Sequence, residues 1–179
     1  MSEEHYLLTR DGELTFKPTR VFKKFYFNFC RFEHPFSNWF DIESKFSPVT
    51  QQETLKSYKL AEKYGLEVHE VTEEFILTST PRYKSSLLNY VESFPKEKRS
   101  EVVLEFLPQI RALQKDLIFR KLTHADLAFR NICVDDSDKL HLIDFEGLST
   151  LEDGEEPDDD YLESDIESYL QEQWKAKLN

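Results

Sequence analysis

The sequence predicts an α+β protein, and three observations lead to this class. Strand-like segments come first along the chain, within residues 5–29. Helical periodicity dominates later, in residues 84–93 and 99–119, and a short hairpin follows the second of these helices. Separation of strands from helices along a chain is typical of α+β proteins. Hydrophobic residues make up 39% of the 179 residues, which is enough for a packed core and argues against disorder of the whole chain.

The first predicted elements are three strands. Residues 5–10 and 13–18 flank Asp11-Gly12, a dipeptide that favours a tight hairpin turn. Residues 20–29 (RVFKKFYFNF) are rich in aromatic side chains and alternate well enough for a third strand.

A helix and two more strands are predicted next. Residues 33–48 carry two prolines and read as irregular. The TQQE sequence at 50–53 matches a capping box and begins a helix that Gly65 ends. Residues 66–71 and 73–80 then have the composition of strands, the second stopped by the following proline.

The C-terminal half is predicted to be mainly helical. Within residues 99–119 the apolar side chains recur at helical spacing and form one stripe. These side chains are Val102, Val103, Phe106, Leu107, Ile110, Leu113 and Leu117. Short strands and a loop follow in 121–143, and a last helix spans roughly 162–177.

Charge and cysteine content limit the classes of binding partner and the cellular compartment that we expect for this protein. Lys and Arg total 23 against 35 Asp and Glu, a net charge of -12, so nucleic acid is not an expected partner. The N-terminus is acidic where a signal peptide would be basic, no apolar run is long enough for a membrane span, and Cys30 and Cys133 make no disulfide framework. We expect a soluble cytoplasmic protein. The acidic segment 152–167 is a solvated linker, a docking surface for a basic protein partner, or a lid that repels nucleotide until its charge is neutralised.

Residues 124–147 (HADLAFRNICVDDSDKLHLIDFEG) concentrate the groups that could do chemistry. Asp126 and Asp144 end segments that a short hairpin would join, and Asn131 lies five residues after Asp126. A hairpin would bring both carboxylates and the amide to one edge. Hard oxygen ligands grouped in this way suit Mg²⁺, which in turn binds phosphate oxygens.

These residues resemble the active-site motifs of the protein-kinase-like phosphotransferases. HADLAFRN at 124–131 is similar to the family's catalytic loop, and DFEG at 144–147 is similar to its metal-binding segment. The resemblance implies that Asp126 is the catalytic base and that Asn131 and Asp144 hold Mg²⁺, with ATP as the phosphoryl donor.

The resemblance also implies a two-lobed fold in a single minimal domain covering 1–179. A small antiparallel-sheet N-lobe would occupy residues 1–80 and a reduced helical C-lobe residues 81–179. Asp165 would correspond to the family's buried aspartate that braces the catalytic loop through backbone hydrogen bonds.

The family's phosphate-binding strand lysine has two candidates in the third strand. Residues two apart in a strand share a face, and the adenine side prefers a small residue beside the lysine. Val21 with Lys23 fits this requirement better than Phe22 with Lys24, so Lys23 is the choice.

The resemblance assigns two further roles in this half of the chain. Glu53 is the candidate to pair with the strand lysine, although it also completes a capping box, and Glu43 and Glu62 remain alternatives. Thr78 and Thr80 would lie in the hinge between the lobes and contact adenine through the backbone.

The chain departs from the family pattern near its catalytic motifs. Gly12 is the sole glycine of the first hairpin, so a glycine-rich loop over the phosphates is missing. Ala125 replaces the arginine that reads activation-loop phosphate, and Ala128 replaces a lysine for which Arg130 could compensate. The segment after Asp144 is short and lacks an APE motif, which resembles the minimal kinases among bacterial effectors.

The sequence therefore predicts an ATP- and Mg²⁺-dependent phosphotransferase, an atypical minimal protein kinase. A secreted effector of this kind would act in the host cytosol. Two alternatives stay open: a pseudokinase that works as a protein-binding module, and a kinase with a small-molecule acceptor, as in aminoglycoside or sugar kinases.

Overall fold

The computed structural model describes most of the chain outside residues 27–50. The described residues are 5–9, 12–26, 51–73, 75–152, 154, 155, 157 and 159–177. They form an α+β structure with small antiparallel sheets and a few helices. The chain divides into two units, Met1–Arg82 and Tyr83–Asn179, where the sequence placed the boundary after residue 80.

The first unit contains a five-stranded antiparallel sheet with the order β1-β2-β3-β5-β4. Its strands are β1 (His5–Thr9), β2 (Gly12–Phe16), β3 (Arg20–Tyr26), β4 (Glu67–Val71) and β5 (Phe75–Pro81). Thr9 pairs with Gly12, so Gly12 begins β2 and does not lie in the predicted Asp11-Gly12 turn.

The first unit also contains helix α1 (Gln51–Ala61), whose buried side chains follow helical spacing. Thr54, Ser57, Tyr58 and Ala61 lie three or four residues apart and are all buried. A 3-10 turn extends α1 to Tyr64, and Gly65 ends it in the left-handed conformation at φ 89°. Glycine adopts this conformation without steric cost, which is why the chain can reverse here.

The second unit begins with β6 (Ser85–Ser86), α2 (Leu87–Glu92) and the long α3 (Lys96–Phe119). Residues 84–93 were predicted to be wholly helical. Ser85 and Ser86 instead pair with Val134 and Cys133 in a strand, and the Ser86 hydroxyl caps α2 by accepting a hydrogen bond from the Asn89 amide at 3.2 Å.

Short strands and a last helix complete the second unit. They are β7 (Leu122–His124), β8 (Ile132–Val134), β9 (Leu140–Leu142), β10 (Leu148–Thr150) and α4 (Asp160–Lys177). Two small sheets result, one with the order β6-β8-β9 and one that pairs β10 with β7. The predicted apolar stripe of α3 supplies Val102, Val103, Phe106, Ile110 and Leu117 to the core.

Helix α4 is held against α3 by a polar cluster. The Arg111 guanidinium pairs with the Glu163 carboxylate, and the Gln114 amide donates to Glu163 at 3.1 Å and to Asp159 at 2.9 Å. The hydrogen bond from Arg111 lowers the pKa of Glu163. The position of α4 is thus fixed by α3. None of the helices in the described part of the chain is long and apolar enough to cross a membrane.

Candidate functional site

Asp126 and Asn131 lie at the two ends of one tight loop in the second unit. Asp126 follows β7, and Asn131 ends a 3-10 turn that leads into β8. The Asn131 side-chain nitrogen donates to the Asp126 carboxylate at 2.8 Å and to the Asp126 backbone oxygen at 2.9 Å. Because the amide nitrogen makes both bonds, the amide oxygen of Asn131 is directed away from Asp126.

Asp144 reaches the same loop through the β8–β9 hairpin. Ile132 pairs with Leu142, and beyond this pair the Ile143 amide donates to the Asn131 backbone oxygen at 2.9 Å. Asp144 is the next residue, and its backbone is left-handed at φ 62° and ψ 65°. Aspartate tolerates this conformation better than most residues do. The hairpin therefore places Asp144 beside Asn131, at one end of the small sheet.

The buried side chain of His124 connects the segment that carries Asp126 with the segment that carries Asp144. His124 is 1% exposed. Nδ1 accepts a hydrogen bond from the Asp126 amide at 3.2 Å, and Nε2 lies 2.8 Å from the Asp144 backbone oxygen. A carbonyl oxygen requires a donor, so the ring carries its proton on Nε2 and is neutral. Burial lowers the pKa of His124, which favours the same neutral form.

Neutral His124 makes folding stability depend on pH. Because the pKa of His124 is lower in the folded protein than the ordinary value of 6.5, the unfolded chain binds the proton more readily. The contribution of His124 to the free energy of unfolding is fully present above about pH 6.5 and declines as the pH falls toward the lower folded pKa. A single proton gives a slope of at most about 1.4 kcal/mol per pH unit.

Chemical denaturation between pH 7.5 and 4.5 measures this slope. His124→Asn should weaken the pH dependence in that range while leaving the denaturant m-value similar. If the free energy of unfolding of His124→Asn has the same pH dependence as that of the wild type, groups other than His124 cause this dependence.

Arg130 lies directly on the candidate catalytic carboxylate. Its guanidinium pairs with Asp126, four residues earlier, and its side chain is 51% exposed. The sequence assigned Arg130 a compensating positive charge near Asp126, and the structure places it at the Asp126 carboxylate. A solvent-facing ion pair of this kind contributes little to stability, so its consequence is for the charge and orientation of Asp126.

Asp165 of α4 braces the same loop. Its carboxylate accepts a hydrogen bond from the Phe129 amide at 2.7 Å, so the expected backbone contact is confirmed. The Phe129 side chain is fully buried, and its ring stacks on that of Tyr169 with centroids 5.9 Å apart. Residues 129–131 are thus held by a carboxylate and an aromatic ring from α4.

Two side chains that contact the loop of the site were missed by sequence analysis. Tyr161 and Tyr169 of α4 contact Arg130 and Phe129, and their four-residue spacing around Asp165 was the available signal. Gly147, the last residue of the DFEG segment, has a packing role that the sequence did not show. A Cβ at Gly147 would lie 3.3 Å from both the Cβ and the amide nitrogen of Ala125, and the Gly147 carbonyl accepts the Ala125 amide at 3.0 Å. Glycine therefore permits the close approach of the two chain segments.

In the first unit, the candidate nucleotide-binding residues share one face of the sheet. Lys23 pairs with Thr78, and Val21 pairs with Thr80, across β3 and β5. Directly opposite residues of antiparallel strands point to the same side. Lys24 lies on the other face, where its ammonium is 3.9 Å from the centre of the Phe75 ring. Lys23 therefore lies on the same face as Val21, Thr78 and Thr80, and Lys24 lies on the opposite face.

The expected hinge at Thr78 and Thr80 is wrong. Both residues lie inside β5, which continues to Pro81, and Thr78 pairs with Lys23 on one side and Val68 on the other. Thr78 is 2% exposed. Because the ladder occupies its backbone groups, Thr78 cannot offer them to a ligand. The chain instead passes from the first unit to the second at Arg82 and Tyr83.

The three glutamates proposed to pair with Lys23 differ in their place in the chain. Glu53 lies in the first turn of α1 and is exposed, and its carbonyl accepts the Ser57 hydroxyl at 3.2 Å. Glu62 is exposed in the 3-10 turn after α1. Glu43, like Thr50 of the proposed capping box, lies outside the described residues.

The donor set fits Mg²⁺ bound together with phosphate. Among the described residues there is no group of three or more His, Cys, Asp or Glu side chains that could hold a metal ion by itself. Asn131 and Asp144 offer one amide oxygen and one carboxylate. Mg²⁺ characteristically takes one or two carboxylates and completes its shell with water and substrate phosphates.

Comparison with known proteins gives a likeness in fold. No protein-family model matches the chain, and a search of curated protein sequences finds no match. Among solved structures, the bifunctional kinase-methyltransferase WbdD matches with a TM-score of 0.52 and 16% sequence identity. The match covers 84% of this chain and 35% of that one, so the chain spans about a third of WbdD. The chain therefore has a fold similar to that of part of a kinase-methyltransferase.

Proposed function

We propose that this protein is a phosphotransferase that moves the γ-phosphoryl group of ATP to a hydroxyl acceptor with the help of Mg²⁺. One observation carries the proposal: His124 bonds to the backbones of both Asp126 and Asp144, while Asn131 bonds to Asp126 and to the residue before Asp144. These bonds bring together the chain segments that carry Asp126, Asn131 and Asp144, which supports one carboxylate for the acceptor and two oxygen groups for the metal. The likeness of the fold to part of a kinase-methyltransferase agrees with it.

In the proposed reaction Asp126 orients the acceptor hydroxyl and takes its proton. The acceptor oxygen forms a bond to the γ-phosphorus while the bond from that phosphorus to the bridging oxygen breaks, and ADP leaves. Asn131 and Asp144 would hold Mg²⁺, which offsets the negative charge of the phosphate oxygens when it is bound. Asn131 also holds the Asp126 carboxylate in place through its side-chain nitrogen.

Within the first unit, we propose that Lys23 binds nucleotide phosphate, with Val21, Thr78 and Thr80 on the same face of the sheet. Glu53 remains the candidate to position Lys23. The acceptor is a small molecule or a protein presented by a partner, and the acidic segment 152–167 would suit a basic partner.

The two lysines of β3 provide a matched test of this proposal. Lys23→Met should weaken ATP binding by about ten- to a hundredfold, the usual effect of losing a charge-assisted hydrogen bond. Lys24→Met removes the same charge from the adjacent residue on the opposite face and should change the affinity by less than about threefold. Isothermal titration with Mg²⁺ and ATP measures both. Equal weakening in the two variants would contradict the assignment of Lys23.

A nucleotide-independent binding module is the second candidate. The connection between β1 and β2 favours it, because Thr9 pairs with Gly12 and only two residues separate them. So short a connection leaves little backbone to surround phosphates. If ATP binds neither the wild type nor the lysine variants in the presence of Mg²⁺, the result would favour the binding module.

A further inference from the structure

Helix α4 contacts the loop of the candidate site along a single stripe of its surface. Tyr161, Asp165 and Tyr169 lie four residues apart and therefore on one side of the helix. Tyr169 stacks on the Phe129 ring, and Asp165 accepts the Phe129 amide. Tyr161, at the N-terminal end of the stripe, contacts Arg130. The stripe thus contacts Phe129 and Arg130, the two residues before Asn131.

Arg130 lies between Tyr161 and Asp126. The central guanidinium carbon of Arg130 is 5.5 Å from the centre of the Tyr161 ring, within the range of a cation–π contact. The same guanidinium pairs with the Asp126 carboxylate. Tyr161 is 53% exposed. Its ring nevertheless contacts the Arg130 guanidinium that pairs with Asp126.

We infer that Tyr161 is a positioning residue that acts through Arg130 on Asp126. This inference rests on the proposed phosphotransferase function. An arginine on a solvent-facing loop has many rotamers, and the ring restricts it to those in which the guanidinium meets the Asp126 carboxylate. The start of α4, where Tyr161 lies, is held against α3 by the ion pair between Glu163 and Arg111. Helix α4 therefore sets the orientation of the carboxylate as well as the position of the loop.

Nuclear magnetic resonance of the Arg130 side chain tests the contact without any need for activity. In the wild type the aromatic ring should shift the Arg130 side-chain protons upfield. Tyr161→Phe keeps the ring and should keep this shift, whereas Tyr161→Leu should abolish it. A shift that persists in Tyr161→Leu would overturn the inference. Phe119→Leu, which removes an aromatic ring that is 86% exposed at the end of α3, should leave the Arg130 signals unchanged.

Hydrolysis of ATP in the presence of Mg²⁺, with water as the acceptor, tests the effect of Tyr161 on the reaction. Tyr161→Leu should lower kcat about two- to fivefold, as expected for loss of an exposed cation–π contact, with KM for ATP unchanged. Tyr161→Phe should retain the wild-type kcat. In an Arg130→Met background, Tyr161→Leu should have no further effect, because its influence passes through Arg130.

The outcomes separate this inference from the proposed function. A wild type that turns over no ATP would count against the function, and the Arg130 signal would still report on the contact. A Tyr161→Leu protein that loses activity equally with and without Arg130 would overturn the positioning role while leaving the phosphotransferase proposal intact.

Discussion

Asp126→Asn is expected to lower phosphoryl transfer by about 10²- to 10⁴-fold, the usual range for loss of a general base. Asparagine has nearly the same shape as aspartate but cannot take the proton of an acceptor hydroxyl. The hydrogen bond from the Asp126 amide to His124 belongs to the backbone and should survive the substitution. The loss should therefore appear in kcat, with the fold intact.

Release of phosphate from ATP in the presence of Mg²⁺ measures the transfer, and thermal unfolding in the same buffer checks the fold. Asp136→Asn is the matched control, because Asp136 is an exposed aspartate in the turn between β8 and β9. It should retain wild-type activity. An Asp126→Asn protein within about tenfold of the wild type would exclude Asp126 as the base, since even weak general-base catalysis exceeds that factor.

Asp144→Asn should weaken the Mg²⁺-dependent part of ATP binding by at least about tenfold. Changes to the outer-shell partners of a bound metal already alter its affinity by roughly 10- to 100-fold, and Asp144 is proposed to contact the ion itself. Asparagine is chosen over alanine because residue 144 has a φ of 62°, a conformation that asparagine adopts readily.

The chain contains a close control for this substitution. Asp138 also has a left-handed backbone, with a φ of 56°, and lies in the exposed turn between β8 and β9. Asp138→Asn makes the same chemical change at a similar positive φ and should leave Mg²⁺-dependent binding unchanged. Titration of ATP at several Mg²⁺ concentrations measures both variants. Identical behaviour of the two would show that Asp144 is not a metal ligand.

The local part of the candidate site could be predicted from the sequence. Asp126, Asn131 and Asp144 lie within 19 consecutive residues, and the short hairpin between them limits where they can go. The bracing role of Asp165 was predicted because a family resemblance supplied the long-range contact that spacing alone could not. The α3 stripe could be read from periodicity, since helical packing follows the spacing of apolar residues.

The contacts that depend on tertiary structure could not be predicted. Thr78 and Thr80 were assigned to a hinge although the predicted strand reached residue 80, because a single sequence does not show that Thr78 pairs with both β3 and β4. Ser85 and Ser86 were assigned to a helix for the same reason, since their strand partners lie almost 50 residues later. Tyr161 lies within the acidic segment 152–167, and its contact with Arg130 depends on the packing of α4 on the loop.

A thermal-shift titration of the wild type with ATP, with and without Mg²⁺, tests the central claim most directly. A ligand that binds the folded state raises the unfolding midpoint as its concentration exceeds the dissociation constant. We predict a rise with ATP that requires Mg²⁺ and is lost in Asp144→Asn but retained in Asp138→Asn. An unfolding midpoint that ATP leaves unchanged at every Mg²⁺ concentration would contradict a phosphotransferase site in this protein.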